Sequence, residues 1–382
     1  MALRARAMED LVMFGGFYAG RRVFVTGHTG FKGSWLSYWL TQLGAEVTGY
    51  ALDPPTDPSL FEALDLGGLV RHVVADVRDF GRLSAELVAS RPDVVFHLAA
   101  QPLVRESYRE PRETFETNVM GTVNVLQALR ACDSVAAAIV VTSDKCYRNL
   151  EDGRAYVEND PMGGRDPYSA SKGCAELVSA AYGASFFSAG PARVATVRAG
   201  NVIGGGDWAP DRLVPDCVRA LAAGRPVGVR NPDAVRPWQH VLEPLAGYLW
   251  LGARMGAGDG ASGFAGPWNF GPDVSGVAST RVVVNEFINA WGRGSWSVVG
   301  GQDEAPHEAA VLVLDPAKAR RRLGWRAIWS LDEAVAATAA WYTAFYSGAT
   351  TAAAVAATTR EQIARYEAGA RTLAMPWAAG GS

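Results

Sequence analysis

The sequence predicts an α/β protein built on a doubly wound parallel sheet with a smaller C-terminal lobe. Short apolar, β-branched runs alternate with stretches of helical periodicity through the first half of the chain. The first such run leads straight into a glycine-rich turn that opens a helix. Beyond Gly200 the alternation loosens, and the remaining residues read as a separate lobe.

Arg22–Thr26 (RVFVT) is the first strand, and residues 33–43 carry apolar side chains at helical spacing. Residues 46–52 form a second strand that ends in the proline-rich loop DPPTDPS. Residues 73–75, 94–97 and 135–142 are further strands with helical segments between them, the pattern of a parallel sheet covered on both faces. A long helix runs from Asp166 through Tyr182, and residues 193–198 form the next strand. Residues 200–211 are a loop. This divides the chain into a Rossmann-type dinucleotide-binding domain over 1–199, which also holds the catalytic residues, and a mainly substrate-binding lobe with a helical tail over 200–382. The second part reads as too irregular to continue the same sheet, and the Ala/Thr-rich residues 349–359 read as exposed helix or tail.

Composition narrows the function. The 382 residues carry 36 basic and 39 acidic side chains, a net charge of −3, and are 49% hydrophobic. That balance excludes a disordered chain and offers nucleic acid no bulk positive charge. The longest apolar runs, such as residues 135–141, fall far short of the roughly 20 residues a membrane helix needs. Arg4 and Arg6 are followed by Glu9 and Asp10 with no small-residue cleavage site, so a cytoplasmic protein is expected. Cys132, Cys146, Cys174 and Cys217 lack the spacing of a zinc site or disulfide framework, and His28, His72, His97, His240 and His307 are equally dispersed. No metal site is expected.

The basic residues divide into 32 arginines and four lysines: Lys32, Lys145, Lys172 and Lys318. Against such a bias, a lysine points to a need for a compact ammonium with an adjustable pKa. The first three fall inside chemical motifs.

In GHTGFKG, Gly27, Gly30 and Gly33 follow a strand and open a helix, with Thr29, Phe31 and Lys32 between them. Glycine permits a sharp turn and a close approach to a pyrophosphate, whose charge meets the amides at the helix N-terminus. The spacing is G-x-x-G-x-x-G. Asp53, at the end of the second strand, is placed to hold the adenosine ribose hydroxyls, and no arginine follows to receive a 2′-phosphate. NAD is therefore the expected cofactor; the alternative is that Asp53 only opens the proline turn. Asp76 and Val77 follow the third strand near the adenine edge, and Ala99, Ala100 and Gln101 follow the fourth, where small residues let a dinucleotide lie against the sheet.

Tyr168 and Lys172, in DPYSASK, lie four apart on a helix and share one face, so the ammonium can lower the phenol pKa for proton exchange. The fifth strand ends in VTSDKCY, which puts Thr142, Ser143, Asp144 and Lys145 at the sheet's C-terminal edge, where open α/β sheets bind ligands. A hydroxyl there steadies a reacting oxygen, with Ser143 preferred and Thr142 the alternative. The neighbouring carboxylate and ammonium form a second acid–base pair that simple alcohol oxidation does not require. Asn201, Arg212 and Arg236 are candidates for a substrate diphosphate, since arginine's fork suits phosphate. Trp208, Trp238 and His240 either pack near the base or belong to the core.

GHTGFKGSW, GYALDPPTDPSLF, TSDKCY, DPYSASK, AGNVIGGGDW, RPWQHV and the late LGW together make the chain similar to the extended short-chain dehydrogenase/reductases that act on sugar nucleotides. Among these it resembles most the 4,6-dehydratases specific for CDP-D-glucose, over residues 17–346. The resemblance implies an internal redox cycle: oxidation at C4, loss of water across C5 and C6, and hydride return to C6, giving a 4-keto-6-deoxy sugar. It implies Tyr168 as base at C4, Asp144 as acid for the C6 hydroxyl, and Asn118 in the proton path. The glutamate that usually removes the C5 proton is replaced by Lys145, which leaves open whether that ammonium acts directly, through water, or by stabilising an enolate. A homodimer or homotetramer is implied as well. The alternatives are another nucleotide-sugar dehydratase or an epimerase, a simple alcohol dehydrogenase, and a non-catalytic dinucleotide-binding regulator. Asp144 argues against a plain C4 epimerase, and the Tyr168/Lys172 pair against a silent regulator.

Overall fold

β1 (Arg22–Thr26) pairs in parallel with β2 (Glu46–Ala51) on one side and β4 (Val94–His97) on the other. β3 (Arg71–Val74) lies outside β2, and β5 (Ala137–Val141) outside β4. This is a computed structural model describing residues 13–188, 190–258, 261–272, 276–299, 311–348 and 351–379. The main sheet has seven parallel strands in the order Gly266–Phe270, Arg193–Ala199, β5, β4, β1, β2, β3. The direction of winding reverses between β1 and β4, which opens a crevice above their C-terminal ends.

Alternation along the strands builds two cores. Val23, Val25, Phe96 and Ile139 face the side covered by helices Phe31–Gln42 and Leu242–Gly256, while Phe24, Val95 and Val140 face Leu83, Leu87, Val125 and Leu126 on the other. β4 and β5 are buried along their whole length, as expected of central strands covered on both faces.

The strand at residues 266–270 corrects the expectation that nothing beyond Gly200 continues the sheet. It pairs with Arg193–Ala199 and supplies the edge. Its sequence, GPWNF, has one proline and little alternation, so it carries no strand signal of its own. The rest of the C-terminal half forms small sheets: Asn201–Ile203 with Val235–His240 and Val277–Ser279, and Val227–Val229 with Trp296–Val298.

The Ala/Thr-rich stretch is helical as expected over residues 352–359, with 349 and 350 outside the described residues, but it is not wholly exposed. Ala352–Thr372 is one helix that buries Val355, Ile363 and Tyr366, and Trp39 Nε1 donates to Glu367 at 2.9 Å. Its anchor is Glu243, a fully buried carboxylate that accepts from the Ile328 and Trp329 amides and, at 2.7 Å, from the Tyr366 hydroxyl. Burial outweighs those donors and raises the Glu243 carboxyl to about 7. Glu243→Ala orphans three buried donors and is expected to lower the unfolding free energy by about 3 kcal/mol or more. A folded-state pKa above the unfolded value stabilises most below the unfolded pKa and loses that contribution as pH rises through the folded one. The wild-type advantage over the variant in urea unfolding should therefore be larger at about pH 5 than at about pH 8.

No helix among the described residues is long and apolar enough to cross a membrane. His307 lies outside the described residues.

Candidate active site

The crevice above β1 and β4 is the mouth of a cleft of about 1120 Å³. That is roughly the upper end of the range for a single small-ligand pocket, room for an elongated ligand pair. Asp53 and Asp76, after β2 and β3, line the cleft, as do Ser143, Asp144 and Lys145 after β5, Tyr168 and Lys172, and Asn201, Arg212 and Arg236.

The glycine turn has the shape a dinucleotide phosphate requires. Gly27 sits at φ 76°, and a Cβ there would come within 2.6 Å of the Ala99 amide. A Cβ on Gly33 would lie 2.0 Å from the Gly27 carbonyl, so helix Phe31–Gln42 reaches its position only without that side chain. Gly30 caps this helix with no side-chain hydrogen bond, which leaves its first-turn amides to an external acceptor. Thr29 ties the turn to β2 by donating to the Leu52 carbonyl at 2.9 Å, and the Thr26 hydroxyl accepts from the amides of Leu98 and Ala99. Asp53 is exposed at the end of β2. Asp76 is instead engaged by Arg78, at 2.6 Å, beside the buried Val77. Ala99, Ala100 and Gln101 line the cleft wall, and Gly27, Thr29, Gly30, Phe31, Lys32 and Gly33 its floor. These residues fit a dinucleotide.

Asn118 does not line the cleft. It lies in a π-helical turn, Glu116–Met120, where its side chain accepts from the Gln101 amide at 2.8 Å and donates to the Gln101 carbonyl and, at 2.9 Å, to Ser171. It thus couples the wall after β4 to the helix that carries Tyr168.

That helix, Pro167–Phe186, starts where the sequence places it. Asp166 caps it by accepting from the Ser169 amide at 2.9 Å, and Pro167 occupies the first turn. Tyr168 and Lys172 share a face, but the electrostatics differ from expectation. Lys172 Nζ donates to the Val141 carbonyl at 3.3 Å, and burial lowers its pKa to about 8 despite Glu176 nearby. Burial raises the Tyr168 phenol to about 12, with the Ser143 hydroxyl as hydrogen-bond partner and the charge of Arg212 pulling it back. Desolvation of a buried phenol is larger here than any cationic help.

Ser143 Oγ donates to Asp144 Oδ1 at 3.0 Å and also meets Tyr168. Thr142 is removed from consideration by its own contacts: it donates to Glu176 at 2.5 Å. Asp144 is buried, and desolvation raises its pKa above the ordinary carboxylate value, against the pull of Lys145, the Ser143 hydrogen bond, Arg236 and Lys32. Lys32 reaches into the same space. Burial and Arg212 lower it to about 8, while Asp144 and Asp207 favour its charge.

Sequence reasoning missed the scaffold behind these groups. Glu176, one turn beyond Lys172, accepts from Thr196 at 2.6 Å and from Arg198 at 2.8 and 2.7 Å, and Arg198 in turn donates to Tyr147 and the Glu158 carbonyl. This buried network clamps the helix to strand Arg193–Ala199. The available signal was an acid at helical spacing from the motif lysine. Asp207 was missed too: it pairs with Arg212 at 3.1 Å, so that arginine is held in place rather than free to roam. Arg236 is buried and donates to the Val235 carbonyl at 2.8 Å. Trp238 lines the cleft and donates to the Ala278 carbonyl. Trp208 lines it as well, packed on Phe345 and Trp341. His240 is core, wedged between the Trp35 and Trp329 rings.

Comparison with known proteins agrees with this geometry. The CDP-glucose 4,6-dehydratase of Salmonella typhimurium (strain LT2) is 50% identical over 339 residues, 87% of this chain and 93% of that protein. A dTDP-glucose 4,6-dehydratase of Streptomyces griseus is 30% identical over 328 residues, 84% of this chain and 93% of that protein. Among solved structures, the dTDP-glucose 4,6-dehydratase of Streptomyces venezuelae, determined with NAD bound, superposes with a TM-score of 0.70 at 28% identity, over 84% of this chain and 96% of that one. A UDP-glucose-4-epimerase from Stenotrophomonas maltophila, also with NAD, gives 0.72 at 26% identity, over 85% and 98%. The model of the NAD dependent epimerase/dehydratase family matches residues 23–261. With a glycine turn fit for a dinucleotide and an acid, a phenol and three lysine side chains in one cleft, the chain belongs to the NAD dependent epimerase/dehydratase family.

Proposed function

We propose that this protein dehydrates CDP-D-glucose to CDP-4-dehydro-6-deoxy-D-glucose. The observation that carries the reading is Asp144: a buried carboxyl beside Ser143 and Tyr168, its pKa raised by desolvation, in a cleft that also fits a dinucleotide. An epimerase has no need of such an acid. The choice of CDP-D-glucose over other sugar nucleotides rests on the 50% identical relative.

NAD, when bound on the glycine turn with Asp53 at its ribose, supplies an acceptor for the C4 hydride that later serves C6. The protein's own groups handle the protons. Tyr168, steadied by Ser143, takes the C4 hydroxyl proton, and the nearby buried Lys172 favours the resulting negative charge. Asp144 gives its proton to the departing C6 hydroxyl. Lys145 is assigned to C5: in its amine form it takes the C5 proton, directly or through a water, and the ammonium so formed stabilises the enolate and holds the proton for return to C5. Asn201, Arg212 and Arg236 hold the diphosphate. Residues 1–199 are thereby assigned mainly to cofactor and catalysis, and 200–382 mainly to the substrate.

We further propose a homodimer. Phe115, Met120 and Leu177 are exposed by 37, 51 and 61% on neighbouring helices of one face, an apolar surface that a second copy would cover. Light scattering on the purified protein decides this.

The functional reading is tested by incubating the protein with CDP-, dTDP-, GDP- and UDP-glucose and following product mass and keto-sugar formation. A CDP-sugar product lighter by one water, with no net reduction of added NAD, is expected. An isomeric product of unchanged mass would replace the reading with epimerisation, and turnover of a different nucleotide would move its specificity.

A further inference from the structure

Behind Asp144, on the side away from Ser143, the structure holds three buried oxygens with no protein hydrogen-bond partner among the described residues: Asp144 Oδ2, Tyr248 Oη and Gln239 Oε1. The parent side chains are 3%, 0% and 3% exposed. Nearly all buried polar atoms in folded proteins are paired, so three orphans in one neighbourhood need a common explanation.

All three side chains lie around the Ala199–Phe270 end of the main sheet. A Cβ built on Gly200 would lie 3.3 Å from Asp144 Oδ2. Gly200 directly follows Ala199, whose register partner in the sheet is Phe270. The Gln239 side chain meets that register partner, donating its amide to the Phe270 carbonyl at 3.0 Å, which leaves Oε1 outside that bond. Tyr248 packs edge-on against the Phe270 ring, with centroids 5.5 Å apart, and is close enough to Asp144 for that charge to disfavour its ionisation. Three elements thus each bring one unpaired polar atom to this end of the sheet: the turn after β5, strand Val235–His240 and helix Leu242–Gly256.

We propose that Asp144 Oδ2, Tyr248 Oη and Gln239 Oε1 share one internal water, and that Tyr248 and Gln239 act through it as positioning residues for Asp144. A single water satisfies all three at once, within the two to four bonds that buried waters typically make. It accepts from the Tyr248 hydroxyl and donates to Gln239 Oε1, which can only accept. Its remaining proton and lone pair face Asp144, so it donates to the carboxylate and accepts from the carboxylic acid. The site therefore serves Asp144 both before and after proton transfer, without moving a protein group.

The other groups bearing on Asp144 are Ser143, Lys145 and Cys146 on its own turn, Lys32 on helix Phe31–Gln42, Arg236 on strand Val235–His240, and Tyr168 on helix Pro167–Phe186. The cations favour ionisation from the cleft side, and the water is the hydrogen-bond partner on the far side. Removing the Tyr248 hydroxyl makes that water a poorer donor or expels it. Either change disfavours the carboxylate.

The inference about the proton rests on Asp144 acting as the acid proposed above, whereas the water itself does not. A high-resolution crystal structure of the wild-type protein is expected to show an ordered water within hydrogen-bond distance of all three oxygens; density without it, or the three atoms paired in another way, overturns the proposal. Tyr248→Phe removes one hydroxyl and keeps the ring packing. With CDP-D-glucose, the alkaline limb of its dehydration kcat should move to higher pH by about half a unit or more, roughly a threefold change in proton affinity, with KM unchanged. A limb that stays in place while kcat falls would reduce Tyr248 to packing and overturn the positioning role. If no sugar nucleotide is dehydrated, the functional reading fails while the crystallographic result still decides the water.

Discussion

Tyr168→Phe is expected to lower turnover of the sugar nucleotide by roughly 10²–10⁴-fold, the usual range for deleting a general acid–base group. The phenol is buried against Ser143, and the other phenol lining the cleft, Tyr147, is already engaged, donating to Asn269 at 2.7 Å and accepting from Arg198. Oxidation at C4 precedes everything else, so the variant should lose every later step with it. A single-turnover experiment then shows neither a reduced-cofactor transient nor a keto sugar. The substitution removes one oxygen and leaves the ring, so the urea midpoint should stay close to wild type. A reduced-cofactor transient at the wild-type rate would remove Tyr168 from the role.

Asp144→Asn should separate the two halves of the chemistry. Asparagine keeps the shape of the side chain but has no acidic proton to give, so water loss slows by roughly 10²–10⁴-fold while C4 oxidation persists. The reaction would then stall with reduced cofactor present and the C6 hydroxyl still on the sugar. Equal loss of oxidation and elimination would contradict the assignment. The pH dependence has a definite sign. Burial raises the Asp144 pKa, so the acid form persists further up the pH scale than for an ordinary aspartate, and dehydration falls as pH rises through that raised value. That alkaline limb should be missing from the asparagine variant.

The parts of the fold legible in the sequence are those where local chemistry and tertiary role coincide. β1 and β4 fall where apolar β-branched runs place them, and Asp166 and Pro167 mark a helix start by capping alone. GHTGFKG, SDK and YSASK are legible because each needs its residue types at fixed spacing, and the fold brings all three to one cleft. Strand Gly266–Phe270 was hidden because it is stabilised by pairing with Arg193–Ala199 and by the contacts of Phe270 with Tyr248 and Trp325, none of which is local. Thr142 and Ser143 are adjacent hydroxyls that composition cannot tell apart; only Glu176, from another element, takes one of them out of the cleft chemistry. The Tyr168 phenol likewise followed its spacing but not its expected pKa, since burial is a property of the whole fold.

The late arrival of the seventh strand has a consequence for biosynthesis. Until residues 266–270 leave the ribosome, strand Arg193–Ala199 is the outermost member of a growing sheet, with a row of unsatisfied amides and carbonyls on its free side. That strand carries Arg198, the cation that the buried Glu176 requires. A nascent chain, or any fragment cut near residue 200, therefore presents a sticky ribbon where the finished protein is sealed, and such a fragment should aggregate rather than stand free.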